Sequence, residues 1–265
     1  NTLIESYANY FEFEVINDCS MGVQGACSEI RINGQSVSLD QGHHLTVNDR
    51  IQLFNNTHGA ILYLAMTGGF TGTEVLGSTA TDITNGLGGL NGLPLASQDI
   101  LKGSKFNTPR QTRSIPEGLL SRRYFSKNVT VHVIAGPEAY LFTKEVIDNF
   151  YSHAFVLSAE ISRVGYRLTG HPIHADSYNI PSKTVLPGTI QIPPSGDPII
   201  LMADGPVTGG YPRMGVVAKV DQPILAQLRS GGRVRFLACL PEDARLREAN
   251  QRQWIEELYH KKTER

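Results

Sequence analysis

The sequence predicts a mainly β fold with few helices, and three observations lead to that prediction. The chain of 265 residues contains 26 Gly and 14 Pro, the residues that most often mark turns between short strands. Charged residues make up 18% of it, against about 25% in an average soluble domain. Apolar residues also alternate with polar ones, as they do in half-buried strands, at 11–15, 129–133 and 233–238.

Continuous apolar runs and two further segments supply the remaining predicted elements. The runs 60–66, 198–203 and 216–220 have the length of strands that are buried on both faces. A helix is predicted at about 138–152, where apolar residues recur on one face. A second helix is predicted at about 242–262, because dense charges of mixed sign are typical of a solvated helix.

The predicted strands fall into two halves of the chain. The stretch 101–128 has no apolar periodicity and contains four Arg and three Lys. We therefore predict a first β domain at 1–105, a bridge at 106–128 and a second β domain at 129–240. The C-terminal helix occupies 241–265.

Composition excludes several classes of protein. The chain has 24 Lys and Arg against 25 Asp and Glu, a net charge of −1, whereas nucleic-acid and anionic-membrane surfaces need a basic excess. No apolar run approaches the ~18 residues of a membrane span. The three cysteines, Cys19, Cys27 and Cys239, have no framework spacing, which favours free thiols and a cytoplasmic protein.

Two motifs suggest cofactor or metal chemistry, but their spacing or local structure does not match a known site. The glycine cluster at 85–92 matches neither dinucleotide-binding nor P-loop spacing, and no strong helix follows it. A tight glycine turn is the preferred interpretation. His171, His174 and Asp176 offer metal ligands, but Pro172 places them in a loop, so we predict no metal site. No G-x-S-x-G nucleophile motif occurs either.

The stretch 162–236 holds the most informative polar residues. Asp204 follows an apolar run, and the turn 208–213 then presents hydroxyl groups, two glycines and Arg213. Backbone N–H groups of such a turn approach anions closely, a guanidinium holds a carboxylate by two parallel bonds, and a carboxylate can hold or deprotonate an N–H. The residue types leave a structural alternative open, in which Asp204 pairs with Arg213 or caps the turn.

A long pattern in this stretch resembles one family. It reads S-R-x-G-Y-R-L at 162–168, P-G-x-I-Q-x-P at 187–193, A-D at 203–204 and T-G-G-Y-P-R-x-G at 208–215, and a second block at 64–92 agrees with it. The pattern resembles the carboxyltransferase-domain family, which includes the C-type subunit of 5-oxoprolinase, the second subunit of allophanate hydrolase and the carboxyltransferase segment of urea carboxylase. Residues 1–59 match only loosely and lack the family's T-V-Q-D-x-G-R and G-A-M-D motifs, so the first domain is expected to lack the family's N-terminal segment.

The resemblance implies two cyclophilin-like β-barrel domains and a role in amide activation. It implies the C-type subunit of an ATP-dependent 5-oxoprolinase, or a component of a related biotin-dependent carboxyltransferase, that acts with a B-type companion protein on 5-oxoproline or a urea-like amide. ATP would then act at the level of the complex, or a partner would supply biotin, because the chain carries no motif for either. Alternatives are a non-catalytic regulator of a kinase-inhibitor partner and, by analogy of fold alone, a prolyl isomerase.

Residue types and resemblance together predict one cleft near the turn 208–213. Asp204 and Gln191 are expected to act on the amide, and Lys183 stands where the family commonly has an acidic residue. The predicted substrate-binding residues are Arg163, Tyr166, Ser182, Lys183, Thr208, Gly209, Gly210, Tyr211 and Arg213.

Overall fold

The computed structural model describes residues 2–55, 59–104 and 126–260. The backbone forms two compact units, Asn1–Arg123 and Tyr124–Arg265. Most of the predicted bridge at 106–128 lies outside the described residues, and the domain limits 1–105 and 129–240 stay predictions.

The first unit consists of two four-stranded antiparallel sheets. Its strands are β1 Ile4–Ser6, β2 Tyr10–Glu14, β3 Cys19–Gly25, β4 Cys27–Ile32, β5 Gln35–Val37, β6 His43–Leu45, β7 Arg50–Asn55 and β8 Leu62–Met66. One sheet has the order β1-β8-β3-β6 and the other the order β2-β7-β4-β5. Both sheets contribute to one apolar core, which includes the buried side chains of Leu45, Leu64, Ile30 and Leu53.

The glycine cluster of this unit is a tightly packed turn. Gly88 has a φ of +70°, and a Cβ there would lie 2.1 Å from the carbonyl oxygen of Ala80. A Cβ at Gly92 would lie 2.1 Å from the backbone of Gly86. Glycine is required at these positions because one stretch of backbone packs directly on another.

The described part of the second unit contains nine strands, of which seven form a closed barrel. Its strands are β9 Asn128–Ala135, β10 Ala154–Ile161, β11 Gly165–Thr169, β12 Lys183–Thr184, β13 Thr189–Gln191, β14 Ile199–Leu201, β15 Thr208–Gly209, β16 Arg213–Val217 and β17 Arg233–Ala238. The barrel order is β10-β11-β14-β13-β16-β9-β17, and β12 and β15 form a separate two-stranded ribbon. The mainly β fold is thus confirmed.

The predicted alternation at 129–133 and 233–238 directs apolar side chains into this barrel. Val131, Val133 and Val234 are buried inside it. The Phe236 ring stacks on Phe150 with the ring centroids 4.5 Å apart. A period of two places alternate residues on opposite faces of a strand, so the pattern in the sequence determined which face is internal.

Two predicted elements of the second unit differ from the structure. The helix expected at 138–152 is divided into a 3₁₀ turn, Ala139–Leu141, and α1, Lys144–Ser152. Phe142 between them is extended and buried, and Thr143 caps α1 by accepting a hydrogen bond from the Val146 N–H. The strand expected at 216–220 ends earlier, because β16 stops at Val217 and a 3₁₀ turn begins at Lys219.

The other helices are α2, Gln222–Ala226, and α3, Pro241–His260. The helix predicted at 242–262 corresponds to α3. Ala244 of α3 is buried, and the Glu248 carboxylate lies 3.2 Å from Lys219 Nζ. Within the described residues, no helix combines the length and the apolar character needed to cross a membrane.

Candidate functional site

A buried glutamate lies at the centre of the candidate site. Glu138 follows β9 after the Gly136-Pro137 break, and its side chain is 1% exposed. The Gly136 N–H donates to the Met214 carbonyl of β16 at 3.0 Å. A Cβ at Gly136 would lie 2.2 Å from the Arg213 carbonyl oxygen, so glycine allows the end of β9 to approach the start of β16.

Arg213 and Lys183 both bind the Glu138 carboxylate. Arg213 Nε donates to Oε2 at 2.5 Å and Nη2 donates to Oε1 at 2.6 Å. Lys183 Nζ donates to Oε1 at 3.0 Å. Arg213 is further fixed by a 2.8 Å bond from Nη1 to the Thr184 carbonyl. The two cations and one carboxylate leave this cluster with a net positive charge.

The cations determine the protonation of the buried carboxyl group. The hydrogen bonds from Arg213, and then the bond from Lys183, lower the pKa of Glu138 to about 2, although burial acts in the opposite direction. The same pairing raises the pKa of Arg213. Glu138 is therefore a fixed anion at neutral pH and has no proton to donate.

Gln191 carries an unsatisfied amide beside this cluster. It is the last residue of β13 and pairs with Arg213 of β16. The residue is 5% exposed, and its Nε2 has no hydrogen-bond partner among the described residues. A buried donor without a partner costs about 1–3 kcal/mol, so this amide is an unusual feature of the cluster, and an acceptor that reached it would stabilise it.

Gly209 makes room for the Gln191 amide. A Cβ at Gly209 would lie 2.3 Å from Gln191 Nε2. Gly209 pairs with Lys183, and Thr208 pairs with Thr184, in the β12–β15 ribbon. The ribbon therefore places the Lys183 backbone next to the glycine that covers the amide.

Several of the predicted site residues are thus brought together. The ribbon and the β13–β16 pair place Gln191, Lys183, Gly209 and Arg213 around one cluster. The remaining predicted residues of this part of the chain are exposed next to them: Ser182, Thr208, Gly210 and Tyr211.

Asp204 and Arg163 lie at the other end of the barrel strands. Gln191 and Arg213 pair where β13 ends and β16 begins. Arg163 precedes β11 and Asp204 follows β14, so both lie beyond the opposite end of these strands, where Gly165 pairs with Leu201. The expectation of a single cleft is therefore corrected. Gln191 and Arg213 lie at one end of the barrel strands, and Arg163 and Asp204 lie at the other end.

The pairing that the residue types left open is also resolved. Asp204 pairs with Arg163, through Nε to Oδ2 at 2.5 Å and Nη2 to Oδ1 at 3.0 Å, and not with Arg213. The guanidinium fork of Arg213 is occupied by Glu138, so it does not offer the two parallel bonds expected for a substrate carboxylate. Tyr166 is buried, and its hydroxyl donates to the Ala226 carbonyl at 3.2 Å; it stabilises the core.

Sequence reasoning missed Glu138. The residue follows a strongly alternating strand and a Gly-Pro break. A carboxylate directly after a buried strand is the same signal that selected Asp204. Its inclusion in the predicted helix at 138–152 concealed it.

The cysteines and histidines give no stronger candidate. Burial raises the pKa of the Cys27 thiol to about 11 and also raises that of Cys19, so both are poor nucleophiles. His171 stacks on His153 with the ring centroids 4.7 Å apart. Across the described ranges, no group of three or more His, Cys, Asp or Glu side chains is placed to hold a metal ion.

Comparison with known proteins identifies relatives along most of the chain. A family model described as "carboxyltransferase domain, subdomain A and B" matches residues 1–238. The chain is 31% identical over 249 residues to the C-type subunit of the 5-oxoprolinase of Escherichia coli K12, which covers 93% of this chain and 77% of that protein. It is 27% identical over 274 residues to urea amidolyase of Lachancea kluyveri, which covers 94% of this chain and 14% of that protein.

Solved structures show the same fold. The crystal structure of the Kluyveromyces lactis urea amidolyase superposes with a TM-score of 0.86 at 23% identity, over 93% of this chain and 16% of that one. The urea carboxylase of the same organism gives the same TM-score and identity, over 24% of its chain. At this level of identity the likeness concerns the fold.

Proposed function

We propose that this chain, which belongs to the carboxyltransferase-domain family, is the C-type subunit of an ATP-dependent 5-oxoprolinase. The observation that carries the proposal is the 31% identity to the corresponding 5-oxoprolinase subunit along 93% of the chain. A subunit acts in an assembly, so we further propose a B-type companion protein. The three free cysteines agree with a reducing, cytoplasmic compartment.

The cluster around Glu138 suits a small amide that also carries an anionic group. 5-Oxoproline has a lactam carbonyl and a carboxylate. The Gln191 Nε2 donor would bind and polarise the carbonyl oxygen, since an amide C–N bond retains double-bond character with a rotation barrier of about 18–20 kcal/mol. The Lys183 ammonium has three N–H donors and uses one on Glu138, so the other donors can bind the carboxylate of 5-oxoproline.

Glu138 and Arg213 act as positioning residues in this scheme. Their bidentate pair, at 2.5 and 2.6 Å, joins the end of β9 to the start of β16. Glu138 also holds the Lys183 ammonium at a fixed point of the β12–β15 ribbon. The rim residues Ser182, Thr208 and Tyr211 offer hydroxyl groups to the substrate.

The glycine cluster at 85–92 does not fit a triphosphate. A Cβ would lie 2.1 Å from the backbone of Ala80 at Gly88 and 2.1 Å from the backbone of Gly86 at Gly92, so these two glycines are packed against backbone and do not form an open cradle of N–H groups. We therefore propose that the companion proteins provide the ATP site. The chain likewise has no biotin-attachment motif, so in the alternative below a partner carries the biotin.

Reconstitution tests the proposal. The chain is co-expressed with candidate companion subunits of 5-oxoprolinase, and the purified complex is assayed for ATP hydrolysis with and without 5-oxoproline. We expect one complex whose ATP turnover depends on 5-oxoproline. Separate elution of the subunits, or ATP turnover indifferent to 5-oxoproline, would contradict the proposal. An inactive but stable complex would instead support the regulatory alternative.

Carboxyl transfer to a urea-like nitrogen is the second candidate function. The identity to urea amidolyase over 94% of this chain favours it. The same complex is assayed with a carboxylated biotin carrier and urea. Carboxyl transfer without 5-oxoproline-dependent ATP hydrolysis would replace the first proposal with the second.

A further inference from the structure

A groove on the outer face of the second unit is unused by the proposed site. It has a volume of about 600 Å³ and lies between α3 and the adjacent ends of β9 and β17. Its lining residues are His132, Leu237, Ala238, Cys239, Asp243, Leu246, Arg247 and Asn250. Small-molecule sites typically measure about 300–1,000 Å³. None of the lining residues belongs to the Glu138 cluster.

The groove has a rigid histidine on one wall. The Asp221 carboxylate is buried and accepts two bonds from His132, from the backbone N–H at 2.7 Å and from Nδ1 at 2.8 Å. These bonds fix the imidazole ring and assign its Nδ1 as the donor. Nε2, the other ring nitrogen, makes no hydrogen bond to a described residue, so in the neutral ring it is an acceptor available to a ligand.

The opposite wall is formed by polar side chains on one face of α3. Asp243 and Arg247 are one helical turn apart, which places their Cβ atoms roughly 5–6 Å from each other. Asn250 lies on the next turn of the same face. Neither Asp243 nor Arg247 forms an ion pair within the described part of the chain, so both charges are available to a ligand.

Apolar side chains fill the space between these walls. Leu237 of β17 and Leu246 of α3 line the groove and are 44% and 61% exposed. Both would lose contact with water if a ligand covered them, and burial of apolar area stabilises a complex by about 25 cal/mol per Å².

From this arrangement we propose that the groove binds a free, zwitterionic amino acid with a large apolar side chain. The ligand carboxylate accepts from Arg247 and Asn250. Its ammonium donates to Asp243 and to His132 Nε2. Its side chain packs on Leu237 and Leu246. A ligand that carries both charges matches the two opposite charges on α3, which form no ion pair with each other among the described residues.

This site is independent of the proposed 5-oxoprolinase role. The family match ends at residue 238, whereas α3 begins at Pro241. The polar wall therefore belongs to a helix outside the matched residues. Failure of either proposal leaves the other unaffected.

The test uses the full chain and three matched probes in isothermal titration calorimetry. L-Phenylalanine carries both charges, N-acetyl-phenylalanine lacks the ammonium and phenethylamine lacks the carboxylate. We expect binding of L-phenylalanine, and affinities lower by about tenfold or more for the other two probes, because a hydrogen bond to a charged group contributes about 1.5–3 kcal/mol. The proposal is overturned by equal affinities for the three probes or by no binding at millimolar concentration.

Variants on α3 locate the binding. Arg247→Gln should weaken L-phenylalanine binding by about tenfold and leave phenethylamine binding unchanged. Asp243→Asn should also weaken L-phenylalanine binding and leave N-acetyl-phenylalanine binding unchanged. Arg245→Gln is the control, because Arg245 is an exposed residue of the same helix that does not line the groove. Thermal unfolding without ligand verifies that each variant folds. An Arg245→Gln effect equal to that of Arg247→Gln would overturn the assignment.

Discussion

Replacing Glu138 with Gln removes the charge at the centre of the candidate site and retains its shape. The wild-type carboxylate is 1% exposed and binds Arg213 twice and Lys183 once. In Glu138→Gln these cations lose their counter-charge. Arg213 suffers most, because its side chain is only 14% exposed, whereas Lys183 is 45% exposed and is screened by water.

Two estimates of the loss agree. The pKa of Glu138 falls from 4.5 to about 2 in the folded state, which corresponds to about 3 kcal/mol of stabilisation at about 1.4 kcal/mol per pH unit. Removing one partner of a buried ion pair costs about 3–5 kcal/mol. With about 2–4 °C per kcal/mol for a unit of this size, the second unit should melt about 6–12 °C lower.

The pH dependence identifies the cause of the loss. Because the folded pKa lies below the unfolded value of 4.5, the stabilisation is complete above pH 4.5 and is lost as the pH falls towards 2. The difference between wild type and Glu138→Gln should therefore be full at neutral pH and should shrink between these two values.

Urea unfolding of both proteins, followed by circular dichroism across this pH range, measures the difference. Glu160→Gln is the matched control, since Glu160 pairs with Arg167 at 2.8 Å but its side chain is 74% exposed. An exposed pair contributes about 0–1 kcal/mol. A free energy of unfolding for Glu138→Gln equal to that of Glu160→Gln at neutral pH would contradict this prediction, and so would a loss of stability that does not change with pH.

Three further predictions concern single residues. Gly209→Ala should lower the turnover of the reconstituted complex by up to about a hundredfold, because its Cβ would lie 2.3 Å from Gln191 Nε2. Gly210→Ala is the control and should retain activity, because its Cβ would have nothing within 4 Å. Equal rates for the two variants in a steady-state assay would contradict this prediction. Burial raises the pKa of Cys27 to about 11, so quantitative mass spectrometry should show slower alkylation by iodoacetamide at neutral pH than in a peptide of the same sequence. Leu76 is fully exposed at φ +51°, so Leu76→Gly should raise the free energy of unfolding by about 0.5–1 kcal/mol in urea titrations. An unchanged or lower free energy of unfolding would contradict this prediction.

The fold class could be predicted because strand periodicity is local information. Val131 and Val133 alternate with polar residues, and this pattern alone determines which side chains enter the barrel. The division of the predicted helix at Phe142 could not be read from periodicity. An apolar residue fits a helix stripe equally well, and only its burial in the barrel core makes the backbone extended there.

The site was only partly predictable, for reasons of sequence distance. Gln191, Lys183 and the turn 208–213 came from the family pattern, and the ribbon and the β13–β16 register bring them together. Glu138 and Arg213 are 75 positions apart, so spacing contains no sign of their contact. The separation of Asp204 from Arg213 depends on the registers by which β14 and β16 pair with β13: Asp204 follows the end of β14, whereas Arg213 begins β16 beside Gln191. Register is set by tertiary packing.

If the buried amide of Gln191 binds the substrate, as we propose, Gln191→Leu should abolish that contact without destabilising the fold. Leucine removes an unsatisfied polar group next to Ile190 and Ile192, which are both fully buried. Stability and 5-oxoproline-dependent ATP turnover are measured on the same reconstituted complex. We predict a melting temperature equal to or above that of wild type, together with a turnover lower by about tenfold or more. Full turnover in a stable Gln191→Leu complex would contradict the claim, as would a loss of turnover explained by a lower melting temperature.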